Sequence, residues 1–532
     1  MSIVTLPFFL FVAGLLVVYY LVPKKIRGPV LLIASYVFYW LNSHWLLLVL
    51  LGTSLAVYGF GLLIQREHDR YRRELGEHPE WTREEKKARK DRSRKRARRI
   101  MVLGILVSAA VLLFLKYFNF FGENLNGLLS LFGLDNPIPK LNLLLPLGIS
   151  FYTLQAIAYL ADVYRAKIQA DKNPLKFLLF MSFFPQIIQG PIPRHSQLAD
   201  QLYEGHAFDY RQVCFGAQMM LWGLIKKLII AERLAVPVQA LYAADSGYTG
   251  PIVFFGALLY GFWIYADFSG GMDIARGVAQ MLGVNLVKNF NQPYYSTSIE
   301  DFWRRWHITM GTWMKDYIFY PLSLSRAFTN LSRKSRKILG QYAGKRLPAF
   351  LAMFIVYFLV GFWHGADWKY IVYGVWNGCF IMSGILLENV YRKGRELCRI
   401  PENSASWRLF RMFRTLVIVS LGRFFSGADS LQTALAMFKH TATHWKDITF
   451  LTNGTLLKLG LTTSNWIILA LFLALLFYVD FRHEKGTSFR EVFARQPLVF
   501  RWGIYIAAVL AILIFGLYGP EYDAAAFIYQ QF

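Results

Sequence analysis

Leu46–Ile64, LLLVLLGTSLAVYGFGLLI, runs by way of Gln65 into Arg66–Arg99, REHDRYRRELGEHPEWTREEKKARKDRSRKRARR, and then, past Ile100, into Met101–Phe121, MVLGILVSAAVLLFLKYFNFF. Each apolar run is long enough to cross about 30 Å of hydrocarbon as a helix. The segment between them holds 15 basic and 8 acidic side chains. Such a segment is either a nucleic-acid-binding arm or a cytoplasmic loop. Flanked by two apolar runs, it reads as a cytoplasmic loop by the positive-inside rule, and no nucleic-acid partner is expected.

The same alternation extends along the whole chain. Further apolar runs lie at Ile3–Leu21, Leu143–Ala161, Ile252–Ala266, Pro348–Trp363, Tyr370–Leu387, Leu416–Phe425, Ile467–Val479 and Tyr505–Leu517, with a shorter, tilted or buried crossing at Pro29–Trp40. Composition agrees. Of 532 residues 55% are hydrophobic and 17% charged, with 58 Lys+Arg against 33 Asp+Glu. Soluble domains carry roughly 25% charged residues. A disordered chain would need low hydrophobicity, and a water-soluble enzyme of this size could not hide so much apolar surface. Cys214, Cys379 and Cys398 form no CxxC pair, so a disulfide framework and a zinc ribbon are excluded. Ile3–Leu21 lacks a basic leader and a small-residue cleavage site, and reads as a retained span.

Basic clusters fall at Lys24–Arg27, Arg66–Arg99, Arg165–Lys176, Arg326–Arg346, Arg392–Arg414 and Arg482–Arg495. Wherever the crossings between neighbouring clusters can be counted, they number two. All clusters then face the cytoplasm and both termini lie outside it. The expectation is one all-α integral-membrane domain over residues 1–532, with a basic cytoplasmic loop at 66–99 and a second basic insertion at 324–346.

Phe177–Leu322 does not parse into spans. Pro185-Gln186, Gly190–Arg194, Asp267–Gly271 and Asn289–Tyr295 interrupt its apolar stretches. Non-helical backbone at membrane depth is tolerated only inside protein or beside an aqueous cavity. These breaks therefore predict re-entrant helices lining a cavity, against a plainer reading as surface loops.

No GxxxxGK[ST], HExxH, GxSxG or strand-borne GxGxxG motif is present, and no metal is expected. Chemistry must come from polar residues within the membrane, where they are costly. Among ten histidines, only His307 (Asp301–Thr309, DFWRRWHIT) and His364 (Gly361–Ala366, GFWHGA) sit in apolar, aromatic surroundings. Each is either a buried structural hydrogen-bonder or a proton carrier working near neutrality. Gly365 removes a side chain beside His364 and so predicts a close substrate approach. Arg304 and Arg305 hold donor phosphates, anchor the membrane interface, or pair with Glu300 and Asp301, three readings the sequence leaves open. Tyr294, Tyr295, Tyr317 and Tyr320 suit an interfacial belt.

Asp301–Leu322 (DFWRRWHITMGTWMKDYIFYPL) and Phe362–Gly365 (FWHG) resemble the signature of the membrane-bound O-acyltransferase (MBOAT) family. Pro146–Arg165 (PLGISFYTLQAIAYLADVYR), Phe183–Arg194 (FFPQIIQGPIPR), Tyr265–Gly271 (YADFSGG) and Asn289–Tyr295 (NFNQPYY) are further matches, and the set follows the family's order over most of the chain, up to the C-terminal Phe527–Phe532. The RRWHI form and the PQxxxGPIxR element are similar to the bacterial alginate O-acetyltransferase branch more than to the D-alanyl-lipoteichoic acid transfer branch. One segment departs. Where alginate-type members often have Gly-Gly-Asn-Arg, this chain has Ser323-Leu324-Ser325-Arg326 and then basic residues to Arg346.

The resemblance implies a bundle of about eleven transmembrane helices plus re-entrant helices around a membrane-crossing tunnel, in a bacterial inner membrane. It implies His364 as the catalytic histidine and His307 as the second polar position. Arg304, Arg305, Trp306, Trp363, Asn289, Gln292 and Tyr317 are the candidate substrate contacts. No bound cofactor is expected; acetyl-CoA is the expected acyl donor from the cytoplasm. The expected function is transfer of its acetyl group to a hydroxyl of an extracytoplasmic acceptor, for O-acetylation of a polysaccharide. The expected partner, besides membrane lipid, is a co-encoded extracytoplasmic acetyltransferase-like protein or a small membrane protein carrying the acceptor hydroxyl. D-alanyl transfer to teichoic acid from an acyl-carrier protein and a non-enzymatic lipid-linked sugar transporter are the alternatives.

Overall fold

A computed structural model describes residues 1–518 except 135–136, 244–245 and 446–447. The C-terminal Phe527–Phe532, where the resemblance ends and the site of the predicted outward terminus, lies outside the described residues. Every regular element among those described is helical, and the one isolated bridge joins Phe290 to Trp306. The chain forms two compact units, Met1–Ala217 with Ala275–Val287, and Gln218–Ile274 with Lys288–Phe532.

In the first unit, the basic segment proves to be a continuation of two spans. Helices Leu47–Glu77 and Arg83–Leu112 pack together and carry the charge at their joined ends. The second starts on a capping box: Thr82 accepts from the Glu85 amide, and Glu85 accepts from the Thr82 amide at 2.8 Å. Arg89 bonds Glu74 and lies 3.6 Å from Glu67, tying the two charged ends together. Helix Ile149–Tyr164 lies close against this pair. A Cβ at Gly61 would stand 2.7 Å from the Tyr159 ring, and one at Gly104 would stand 2.9 Å from Leu160. Leu6–Leu21 buries Phe8, Val12, Leu15 and Tyr19 yet exposes Leu6, Leu10, Val17 and Leu21. A helix apolar all round suits a lipid surrounding.

Two expectations need correction. The run Leu143–Ala161 is helical only from Ile149, because Pro146 and the left-handed Gly148 (φ 70°) hold the preceding backbone out of the helix. At Gly148 a Cβ would meet the Ile187 carbonyl at 2.4 Å, so glycine is required twice over. Asp267–Gly271, expected as a break, lies inside the unbroken helix Pro251–Met281. Its polar residues are matched rather than exposed. Lys227 pairs with Asp267, and Lys226 bonds Ser269 at 3.0 Å and Asp273 at 2.6 Å. Both lysines come from a π-helical stretch, Ile225–Ala231, a form frequent at functional sites. Gly270 lets the helix approach the Gly223 carbonyl, where a Cβ would stand at 2.9 Å.

Among the described residues, seven helices are long and apolar enough to cross a membrane, or eight if the bent pair Trp368–Leu386 and Glu388–Leu397 is one span. The expected eleven is not reached by that measure. Leu6–Leu21 is apolar but has only 16 residues. The chain is thus an all-helical, multi-pass membrane protein. Of the other expected breaks, Gly190–Arg194 is non-helical and Asn289–Tyr295 holds only a 3-10 turn, whereas Pro185-Gln186 lies inside the short helix Phe184–Gln189; Ile299–Arg305 and Ile308–Met314 have seven residues each.

The basic insertion 324–346 forms the first part of Arg326–His364, which kinks at Gly340 (φ 75°). Beyond the kink this helix crosses Trp368–Leu386 at very short range. A Cβ on Gly361 would stand 2.4 Å from the Tyr370 carbonyl oxygen, and one on Gly374 would stand 2.2 Å from that of Tyr357. Small residues allow such a crossing in a membrane. Its consequence is local: the end of the first helix, His364, is set against Tyr370 and Tyr373 of the second.

Candidate active site

His364 is the last residue of its helix and is 8% exposed. Its ring meets Trp363 edge-on at 5.1 Å and Tyr373 at 5.9 Å. It lines a cavity of about 10 Å³ with Tyr260, Ile264, Trp306, Tyr370, Tyr373, Arg423 and Ser426. That is room for about one water, so an acyl group enters only if the surrounding rings shift. Gly365 does not open a substrate approach as expected. The space its missing side chain leaves is filled by Tyr370, whose ring would stand 2.2 Å from a Cβ there.

His307 is 1% exposed and takes a left-handed conformation (φ 46°), rare for a residue with a side chain. A short antiparallel pairing holds it there. The Asn291 amide donates to the Arg305 carbonyl at 2.9 Å, and the Ile308 amide donates to the Asn289 carbonyl at 3.0 Å. This pairing turns the chain from Ile299–Arg305 into Ile308–Met314 at the histidine. The His307 ring meets Phe268 edge-on at 5.1 Å and Trp363 at 5.9 Å. Trp363 therefore touches both histidines, and Phe268 brings the YADFSGG segment to the same place.

Arg423 is the residue that sequence reading missed. It is 2% exposed, yet its guanidinium lies 4.8 Å from the Trp306 ring centre and 5.8 Å from that of Tyr373, whose hydroxyl it bonds at 2.9 Å. Its signal was a charge inside the apolar run Leu416–Phe425, which by itself marks a candidate site. Held on two aromatic faces beside His364, it places a fixed positive charge where a developing negative one would be stabilised.

Of the other candidates, Arg304, Arg305, Tyr317 and Gln292 fall outside this cluster, whereas Trp306 and Asn289 belong to it. Arg304 is exposed and bonds Asp301 at 2.6 Å; Arg305 bonds Asp301 at 3.1 Å and Glu484 at 2.6 Å. The ion-pair reading of these arginines thus describes their present contacts, through Asp301 and through Glu484, which sequence reading did not foresee. Tyr317 packs with its ring tilted against Trp313 at 5.3 Å in a π-helical turn, and Gln292 caps the turn Pro293–Tyr295. Trp306 lines the cavity and stacks on Phe302 at 5.5 Å. Asn289 bonds His307, as developed below.

The arrangement offers two histidines and one arginine around aromatic walls, suited to moving a proton and stabilising an oxyanion away from water. Comparison with known proteins supplies the family. The description "MBOAT, membrane-bound O-acyltransferase family" matches residues 165–427. A probable alginate O-acetylase of Pseudomonas aeruginosa is 34% identical over 433 residues, 81% of this chain and 72% of that protein. A peptidoglycan O-acetyltransferase of Helicobacter pylori is 32% identical over 64% of each chain. A teichoic acid D-alanyltransferase of Bacillus subtilis is 28% identical over 45% of this chain and 58% of its own length. With motifs, helices and relatives in accord, this chain belongs to the membrane-bound O-acyltransferase family and is an O-acyltransferase.

Proposed function

We propose that the chain, one integral-membrane domain of the bacterial inner membrane, moves an acetyl group from cytoplasmic acetyl-CoA to a hydroxyl on the extracytoplasmic side, for O-acetylation of a polysaccharide. The observation that carries this is the place of His364, at a cavity it shares with Arg423 and four aromatic side chains. Acetyl is favoured over D-alanyl because the O-acetylase relatives match at higher identity and over more of the chain than the D-alanyltransferases do.

His364 acts as general base. It takes the proton of the acceptor hydroxyl as that oxygen attacks the thioester carbonyl, a contribution of about 10²–10⁴-fold. The negative charge on the carbonyl oxygen is met by Arg423 and by a hydrogen bond from His307, the latter worth roughly 3–4 kcal/mol for a single donor in other enzymes. Collapse of the tetrahedral adduct expels the CoA thiolate, which takes the proton back from His364. Aromatic walls exclude water and with it futile thioester hydrolysis.

A cavity this narrow suits a slim hydroxyl better than a sugar chain. The acceptor is therefore a serine or tyrosine hydroxyl of an extracytoplasmic partner, which passes the acetyl group to the polymer. The test is reconstitution in liposomes with acetyl-CoA inside and soluble polysaccharide outside, with and without the co-encoded secreted protein. Acetyl on the partner's hydroxyl, and none on polymer when the partner is absent, is the expected result. Rapid acetylation of polymer by this chain alone contradicts the relay.

A further inference from the structure

Asn289 spends every bond its carboxamide can make. Oδ1 accepts from the Thr309 backbone N–H at 2.9 Å and from the Thr309 hydroxyl at 2.9 Å. Nδ2 lies 3.1 Å from His307 Nδ1 and 3.8 Å from the Met272 sulfur. The orientation of an amide is an assignment until a partner decides it. Here the partner decides. A backbone N–H can only donate, so the atom facing Thr309 is oxygen and the atom facing His307 is nitrogen. Oδ1 also stands 3.3 Å from Nδ1, but its two lone pairs are already occupied by the shorter Thr309 bonds.

An N–H directed at an imidazole nitrogen requires a lone pair there. We infer that Asn289 is a positioning residue that holds His307 as the neutral ring with Nδ1 bare and its proton on Nε2. His307 is then a fixed hydrogen-bond donor toward the reacting centre, leaving the lone pair needed for general-base work to His364. This deepens the acyl-transfer reading and rests on it for its catalytic meaning. The tautomer itself is a property of the resting protein, measurable without turnover.

Asn289→Asp is the discriminating change, since it is nearly the same shape and keeps an acceptor for both Thr309 bonds. It presents oxygen to Nδ1, which must then carry a proton. At neutral pH the neutral ring becomes the Nδ1–H form and Nε2 loses its donor. At lower pH the imidazolium carries both protons and the donor returns. The variant should therefore lose about 10²–10³-fold in rate at neutral pH, the usual effect of removing one oxyanion donor. Its rate relative to wild type should recover as pH falls.

The experiment is ¹⁵N NMR of protein labelled at histidine in nanodiscs, with the His307 signals assigned by their loss in His307→Asn, run beside acetyl-transfer assays across pH. Expected are a protonated Nε2 and bare Nδ1 in the wild type, and a protonated Nδ1 in Asn289→Asp. A protonated Nδ1 in the wild type overturns the inference, and that spectrum decides even if the variant fails to fold. So does an Asn289→Asp protein whose activity matches wild type at every pH, or whose deficit is the same at every pH. If no acyl transfer is found for the wild type, the proposed function fails while the spectrum still decides the tautomer.

Discussion

Gly374 offers the most direct way to ask whether helix crossing sets the site. A methyl group there would stand 2.2 Å from the Tyr357 carbonyl oxygen and 2.9 Å from Gly361 Cα and N, all backbone atoms that no side-chain rotation relieves. Restoring an ordinary contact of 3.4 Å requires helix Trp368–Leu386 to back away by about 1 Å. Overpacking of this kind costs about 1–3 kcal/mol. The neighbouring Tyr373 contacts His364 and bonds Arg423, so the same displacement widens the cluster. Misplacement by about 1 Å at reacting groups is worth up to about 10²-fold in rate. Gly374→Ala should thus lower the melting temperature by several degrees and cut acetyl transfer by one to two orders of magnitude. Gly384→Ala, on the same helix with nothing within 4 Å, should leave activity unchanged and stability unchanged or higher by up to about 1 kcal/mol. Both are read by thermal unfolding and steady-state rates in the same detergent. Full activity and an unchanged melting temperature in Gly374→Ala would refute the reasoning.

Three further outcomes are expected. His307→Asn should keep part of the acetyl-transfer rate, because an amide still donates a hydrogen bond, whereas His307→Ala should lose about 10²–10³-fold; equal rates for the two would argue against a donor role. Lys227→Met should destabilise by about 3–5 kcal/mol by stranding the buried Asp267, and the double change Lys227→Met with Asp267→Leu should recover much of the loss in thermal unfolding. Single cysteines within 66–99 and 326–346 should react with an impermeant maleimide only from the cytoplasmic face, and reaction of both from outside would reverse the topology.

The helical, multi-pass character was legible in the sequence because the bilayer imposes a blunt rule: an apolar run long enough to cross it does so as a helix. His307 and His364 stood out as polar groups in aromatic surroundings, and both sit against Trp363. What failed did so where the answer depends on distant partners. Asp267–Gly271 read as a break because Lys227 lies 40 residues away, and only the fold brings the pair together. For Arg305 the sequence offered Glu300 and Asp301 as ion-pair partners but not Glu484, which is 179 residues distant. Gly365 read as open space because no spacing rule tells a substrate from the Tyr370 ring. Arg423 differs: its charge within an apolar run was visible, but only the packed rings of Trp306 and Tyr373 connect it to His364.

The measurement that bears most directly on the account is acetyl transfer by purified wild-type protein and His364→Ala, each reconstituted with radiolabelled acetyl-CoA and the extracytoplasmic partner. Label on the partner's hydroxyl with wild type, and none above background with a folded, equally thermostable His364→Ala, is the predicted result. Undiminished transfer by His364→Ala would contradict it.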